Sequence, residues 1–460
     1  MNDAIEFSDL PLAPALFQGL EALGHVRMTP IQARSLPVLL EGRDVIAQAP
    51  TGSGKTAAFG LGLLQRLDLA VIRAQALVLC PTRELADQVA KQIRKLGTGL
   101  PNLKLLTLTG GVALGPQLAS LAHAPHVVVG TPGRVQELLR KKALDLRGIR
   151  VLVLDEGDRL LDMGFEEAIR EIVKATPKDR QTVLLSATFP EAVRDIARAT
   201  MREPEEVTVE GEAHAAPIEQ RFYEVEPALK PAALAGLLID HGVDSTVVFC
   251  NMRRDTEEVV SSLQHLGFSA LVLHGDMEQR DREEVLVRFA NKSCNVLVAS
   301  DVAARGLDVE DLGVVVNYDV PNDPDTHVHR IGRTGRAGRE GVALTLCTSR
   351  ELPRLRAIEE ALGLRIELKR PPLAALKANV GARAPMATLR IDGGRTDKLR
   401  PGDIVGALTG DAGLKGDAIG KIDVFATRSY VAIAQSQAAR ALSRLQEGKI
   451  KARKFRVRKL

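Results

Sequence analysis

The sequence predicts an α/β chain with two parallel-sheet domains in tandem, followed by a small βαββαβ domain. Three observations predict it. Short apolar runs alternate with amphipathic helical patterns through most of the chain. The runs fall into two series, parted by the polar stretch EPEEVTVEGEAHAAPI at 203–218. Beyond a Pro-, Ala- and Gly-rich break, KRPPLAALKANVGARAP at 369–385, the charge balance changes sign. From Pro385 onward there are 16 Lys/Arg against 7 Asp/Glu, a net of +9, which leaves the rest at −5.

The first series is DVIAQA, ALVLCP, LKLLTLTG, HVVVGT, VLVLDE and TVLLSAT, all before about residue 190. The second is STVVFCN, SALVLHG, CNVLVAS, LGVVVNYDV and GVALTLC, from about residue 245. A strand apolar on both faces needs cover on both faces, and intervening helices supply it in parallel sheets. The tail reads strand (ATLRIDGG), helix (PGDIVGALTGDAG), hairpin (IGKIDVFATRSYVAIA), helix (SQAARALSRLQEG) and a last strand with alternating basic residues (IKARKFRVRKL). The expected divisions are 1–207, 208–370, a linker at 371–384, and 385–460.

Composition narrows the function classes. The 460 residues are 45% hydrophobic and 26% charged, enough for several cores. No apolar run approaches the roughly 18–20 residues of a membrane span, and MNDAIEFSDL lacks a basic start and apolar core. Cys80, Cys250, Cys294 and Cys347 are dispersed without CxxC spacing, which reads as buried thiols in a reducing cytoplasm. Aromatics make up only 3%, so any base-stacking surface is small. A basic tail on a slightly acidic body points to a separate unit with a polyanionic partner.

Two motifs carry the chemistry. APTGSGKT, Ala49–Thr56, follows the strand DVIAQA and has the form of a phosphate-binding loop, with Ala49 where the strict pattern has Gly. Gly52 and Gly54 let backbone N–H groups turn inward, and the next helix offers its positive end. Thr51 and Ser53 complete the cradle, Lys55 reaches the β- and γ-phosphates, and Thr56 helps hold Mg²⁺. VLVLDEGD then ends a greasy strand in Asp155, Glu156 and Asp158. Such crowding of carboxylates is costly unless a cation offsets it, so Asp155 is expected to hold Mg²⁺ and Glu156 to deprotonate an attacking water. Asp158 is expected to bond across to another motif.

DEGD, with SAT (Ser186–Thr188), PTREL (Pro81–Leu85), TPGR (Thr131–Arg134) and HRIGRTGRAGR (His329–Arg339), resembles the DEAD-box RNA helicases over roughly residues 7–350. The resemblance implies two RecA-like domains and ATP with Mg²⁺ as cofactors. It implies that Gln32, in MTPIQ, pairs with adenine and that Phe7 stacks on it; His25 stands at a position normally aromatic. Arg333 and Arg336 resemble arginine fingers aimed at the γ-phosphate, His329 joins interdomain contacts with Asp158, Ser186 and Thr188, and Asp308 bonds the ribose. RNA contacts are implied for Arg83, Gly111, Thr131 and Arg134 in the first domain. In the second they are implied for Gln279, Arg282, Ser300 and Asp301. Gly157 replaces the usual Ala and is expected to loosen its turn.

The tail has the element order of an RNA-recognition motif, with Tyr430 as its one candidate stacking ring. It resembles the RNA-binding domain of a ribosomal-RNA-directed branch of the family. That implies RNA as partner, specifically 23S rRNA and pre-50S particles, with the protein a cytoplasmic monomer. Candidate RNA contacts are Lys421, Arg428, Lys449, Lys451, Arg453, Lys454, Arg456 and Arg458. The expected activity is RNA-stimulated ATP hydrolysis with local strand separation. The alternatives are an ATP-gated RNA clamp or scaffold with little turnover, and a DNA helicase.

Overall fold

The computed structural model describes residues 6–49, 52–209, 218–242, 245–301, 312–335, 341–374, 381–411 and 413–460. They form two compact units, one of residues up to 209 and one from 218 onward.

The first unit holds a seven-stranded parallel sheet in the order β3-β4-β2-β5-β6-β1-β7. Its strands are β1 (Val45–Gln48), β2 (Ala76–Leu79), β3 (Leu105–Leu108), β4 (Val127–Gly130), β5 (Val151–Leu154), β6 (Gln181–Ser186) and β7 (Glu205–Thr208). Alternate side chains enter opposite layers: Val45 and Ala47 join the core on one face, Ile46 that on the other. Ala76 and Val78 divide from Leu77 and Leu79 in the same way. Each fully buried Val or Leu contributes about 1.5–3 kcal/mol, which is why unbroken apolar runs mark these strands.

The second unit repeats the plan as β10-β11-β9-β12-β13-β8-β14. These strands are β8 (Ile218–Glu224), β9 (Thr246–Cys250), β10 (Ala270–Leu273), β11 (Val296–Ser300), β12 (Val314–Asn317), β13 (Gly341–Cys347) and β14 (Leu368–Lys369). The same unit carries an antiparallel sheet in the order β16-β17-β15-β18, formed by β15 (Met386–Ile391), β16 (Ile419–Val424), β17 (Ser429–Ala434) and β18 (Val457–Lys459). The helices Pro401–Gly406 and Ala438–Glu447 complete the expected βαββαβ order. The last strand is shorter than expected. Residues 450–456 turn instead, with Lys451 and Ala452 at φ 51° and 62°. All four cysteines are free and buried.

The small sheet is not an appendage on a bare tether. Thr388, Arg390 and Tyr430 share the face opposite its core, and residues of the second parallel-sheet domain cover that face. The Thr388 hydroxyl lies 2.6 Å from that of Ser293 and 3.3 Å from Asn291 Nδ2. Arg390 Nη1 donates to Glu284 Oε2 at 3.2 Å. Glu284 sits on the helix Gln279–Ala290.

Candidate functional site

In the first unit, β1, β6 and β5 are adjacent, so their carboxyl ends meet at one edge. Residues beyond the carboxyl ends of parallel strands line the usual ligand crevice. The glycine-rich loop follows β1, and Asp155 follows β5. Gly52 and Gly54 both take left-handed backbone, φ 83° and 95°. A Cβ at Gly54 would stand 2.4 Å from Gln32 Nε2, so only glycine fits there. The helix Lys55–Gln65 starts directly after it.

Lys55 Nζ donates to the Ala49 carbonyl. Burial holds the Lys55 ammonium below its usual range, while Asp155, Glu156 and Asp158 pull the other way. Burial first, and then the neighbouring Glu156, push the Asp155 carboxyl up to about 7 against the pull of Lys55. Asp155 is 4% exposed. A buried carboxylate raised this far is short of positive charge, so the set fits a divalent cation, with Thr56 one position beyond Lys55 at the helix start.

Glu156 adopts φ 52°, ψ 58°. That conformation costs a residue with a Cβ roughly 1–2 kcal/mol and is kept chiefly at working sites. Its Oε2 accepts from Arg159 Nη1 at 2.8 Å, and Arg159 is buried. Sequence reasoning missed Arg159. Its three-residue spacing from Glu156 on a helical turn is the signal that marks it. Asp158 Oδ2 accepts from the Thr188 amide at 3.0 Å and its hydroxyl at 2.9 Å, while Ser186 Oγ accepts from the Asp158 amide at 3.2 Å. The carboxylate motif and SAT are thus tied together across β5 and β6. Gly157 is not loose: a Cβ there would stand 2.7 Å from Leu184 Cδ1, because Leu184 fills the methyl's place.

Gln32 is buried, and its amide is engaged. Oε1 accepts from the Thr29 amide at 2.9 Å, Nε2 donates to the Gly54 carbonyl at 3.0 Å, and Thr29 Oγ1 donates to the Ser53 carbonyl at 2.8 Å. Phe7 is 2% exposed and packed in the core, tilted against His25 with ring centroids 6.4 Å apart. Here it is a packing residue, since its ring face is spent on neighbours and not open to a base.

At the carboxyl ends of β2, β3 and β4 the structure gathers Arg83, Gly111, Thr131 and Arg134. Gly111 has φ 66°, and a Cβ there would strike the Arg83 guanidinium at 1.6 Å. Thr131 Oγ1 accepts from the Gly110 amide at 3.4 Å, and Arg134 Nη2 donates to the Val112 carbonyl at 3.0 Å.

In the second unit, Gln279 and Arg282 lie on the first turn of Gln279–Ala290, where Arg282 Nη1 donates to the His274 carbonyl at 3.3 Å. Ser300 ends β11. Asp301 departs from its expected RNA contact, because both its oxygens accept from Arg330, at 2.6 and 2.7 Å. Arg330 is 2% exposed, also bonds Asn251 Oδ1 at 2.7 Å and lies over the Phe249 ring. It is a buried hub, and arginine density alone did not reveal that. His329 and Arg333 lie at and just beyond the end of the helix Pro324–Ile331, with Arg333 buried. Thr51, Asp308 and Arg336 lie outside the described residues.

In the small sheet Tyr430 does not match its expected role as a stacking ring. It is 2% exposed, edge-on to Phe425 at 5.6 Å, with its hydroxyl 3.5 Å from Glu284 Oε2 and 3.4 Å from Arg428 Nη1. The face where a ring would meet RNA is occupied by the helix Gln279–Ala290. Lys421, Lys449, Lys451, Arg453, Lys454, Arg456 and Arg458 are exposed. Lys421 pairs with Asp423 at 3.3 Å and Lys451 approaches Asp403 at 3.6 Å. Among the described residues no helix is long and apolar enough to cross a membrane, and no three His, Cys, Asp or Glu side chains form a metal cage.

Comparison with known proteins follows the same division. Residues 29–196 match the DEAD/DEAH box helicase family, 229–338 the helicase conserved C-terminal domain, and 388–459 the DbpA RNA binding domain. The ATP-dependent RNA helicase DbpA of Escherichia coli (strain K12) is 51% identical over 449 residues, 98% of each chain. The ATP-dependent RNA helicase CshA of Limosilactobacillus reuteri is 40% identical over 381 residues, 82% of this chain and 76% of that protein. Among solved structures, S. cerevisiae Dbp5 bound to RNA and ADP BeF3 superposes with a TM-score of 0.73 at 33% identity, covering 80% of this chain and 95% of that one.

Proposed function

The chain belongs to the DEAD-box ATP-dependent RNA helicases, and from that premise we propose that it couples ATP hydrolysis to local separation of short RNA duplexes, directed by residues 385–460 to a hairpin of 23S rRNA during large-subunit assembly. The observation that carries the chemistry is the cluster Lys55–Asp155–Glu156–Asp158 at the edge shared by β1, β5 and β6.

Lys55 and the loop amides hold the phosphates. Thr56 and Asp155 hold Mg²⁺, which when bound offsets phosphate charge. Glu156, aimed by its backbone and held by Arg159, takes the proton of the water that attacks the γ-phosphorus. Gln32 reads adenine and Asp308 bonds the ribose. Arg333 and Arg336 stabilise the charge of the transferring phosphoryl group, a contribution on the order of 10³–10⁵ in rate. Arg83, Gly111, Thr131, Arg134, Gln279 and Arg282 grip phosphate and sugar. Such contacts carry no sequence information, and 2′-hydroxyls distinguish RNA from DNA.

Choice of RNA then falls to the small domain, whose covered face leaves the exposed basic residues of 449–458, with Lys421 and Arg428, to bind a structured RNA by charge and shape. We place the protein in the cytoplasm as a monomer. Phosphate release is measured against a panel of RNAs that includes ribosomal fragments, for the whole chain and for a chain lacking 385–460. Ribosomal fragments stimulate the whole chain best, and the truncated chain loses the preference while still responding to RNA. Equal preference in both chains refutes the targeting.

A further inference from the structure

The opposite edge of the first sheet carries a feature that the helicase site does not use. A basin of about 670 Å³ is lined there by Arg66, Arg73, Arg147, Arg150 and Arg180, with Asp179 the one carboxylate among its lining residues. Arg150 immediately precedes β5, Arg180 immediately precedes β6, and Arg73 lies three residues before β2. Arg66 caps the helix Lys55–Gln65. All therefore sit at the amino ends of strands whose carboxyl ends carry the site described above.

These cations are poorly neutralised. Of the five, only Arg147 forms an ion pair among the described residues, with Asp145 at 2.8 Å. Arg180 is 7% exposed and donates to the Pro177 and Thr200 carbonyls at 2.7 and 3.0 Å. Its Nε, like that of Arg66, is buried with no hydrogen-bond partner. Burial also holds the Arg180 guanidinium below its usual range. Part of this charge serves the negative ends of helices that finish at this edge. That account leaves out Arg73, Arg147 and Arg150, which stand exposed around the rim. Guanidinium groups meeting at a solvent-open basin match the spacing and planarity of phosphate oxygens.

We propose that this arginine basin binds the phosphate backbone of a single-stranded RNA segment that extends from the helicase site around the first domain. A polymer suits it better than a small anion, because the exposed rim is broad and open, with Arg73 and Arg150 in no ion pair among the described residues and only Arg147 held by Asp145. The inference rests on membership of the RNA helicase family and is independent of ribosomal targeting.

The test uses the full chain and the double variant R73Q/R150Q, both exposed positions outside the ATP and RNA residues named above. Dissociation constants are measured over a salt series for two RNAs that share one duplex, one blunt and one with a long single-stranded extension. Each phosphate contact on a single strand contributes about 0.7 to the slope of log affinity against log salt, so the variant's slope on the extended RNA falls by about 1.4. Affinity for that RNA drops several-fold at low salt, while blunt RNA and RNA-saturated ATP turnover are unchanged. An unchanged slope on the extended RNA overturns the proposal. So does an equal loss on both RNAs, and so does loss of inorganic tripolyphosphate binding with RNA binding intact, which would make the basin a small-anion site.

Discussion

Arg390, on the middle of the small sheet, reaches across to Glu284 of the second parallel-sheet domain, Nη1 to Oε2 3.2 Å, with the arginine side chain only 7% exposed. Removing the acceptor leaves a largely buried cation with Asp392 as its remaining partner. Glu284→Ala is therefore expected to weaken the docking of the two sheets by about 2 kcal/mol. Hydrogen exchange in β15 and β17 should rise while the helicase sheet strands stay protected. Unchanged exchange would show that the contact does not hold the domains together.

Tyr430 separates packing from recognition. Its ring is buried and only its hydroxyl reaches Glu284 and Arg428. Tyr430→Phe should leave affinity for RNA within about twofold, whereas a stacking ring replaced by alanine would lose about 1–3 kcal/mol per base. Tyr430→Ala is expected to destabilise the small domain by about 3–5 kcal/mol through lost burial. RNA titration of Tyr430→Leu decides between the roles, since leucine fills the buried space without an aromatic face: affinity holds if the ring only packs and falls if it stacks.

Glu156→Gln keeps shape and backbone but removes the base. RNA-stimulated phosphate release should fall by about 10²–10⁴, with ATP and RNA binding retained. A clamp with little turnover would show no such loss. Arg159→Lys keeps the charge but loses the fixed guanidinium geometry, so a smaller fall in turnover at unchanged ATP affinity is expected.

His327 gives the second unit an acid-sensitive joint. It is buried, bonded to Gln220 at 2.9 Å, and burial holds its imidazole down to about 4, from an ordinary 6.5. The folded state thus favours the neutral ring while the unfolded chain takes up a proton near 6.5. Stability from this group is complete above that value and is lost as pH falls from 6.5 towards 4, by roughly 3 kcal/mol in all. Hydrogen exchange of β8 and β12 at pH 7.5 and 5 should differ less in His327→Gln than in the parent.

Gly157→Ala restores the residue the family usually carries. The added methyl lowers the backbone entropy of the unfolded chain, which favours folding, but must displace the Leu184 side chain. Entropy favours alanine by about 0.4–1 kcal/mol, and local overpacking costs a similar amount or more. Net stability should change by about 1 kcal/mol or less with ATP turnover intact, checked by thermal unfolding and phosphate release.

Much of this architecture was legible because period and composition report burial. VLVL and its counterparts are apolar on both faces and became central strands. The phosphate loop and DEGD were legible because glycine spacing and crowded carboxylates answer to one chemistry. What escaped reading depends on contacts between distant segments. Arg330 looks solvent-loving in HRIGRTGRAGR, yet Asp301 and Asn251, far off in sequence, make its burial affordable. Tyr430 alternates correctly for an exposed face, and only the helix carrying Glu284 covers it. Leu184 fills the space beside Gly157 from another strand. No local pattern encodes any of these partners.

The double engagement of Gln32 has a mechanical consequence. One amide group fastens its own helix start and also restrains the loop that grips phosphate. Nε2 keeps a second N–H and Oε1 a second lone pair, so a nucleobase can take the remaining donor and acceptor while Gly54 and Thr29 stay bonded. Choice of base and restraint of the phosphate-gripping loop then rest on one side chain, and a base that pairs with Gln32 stiffens that loop.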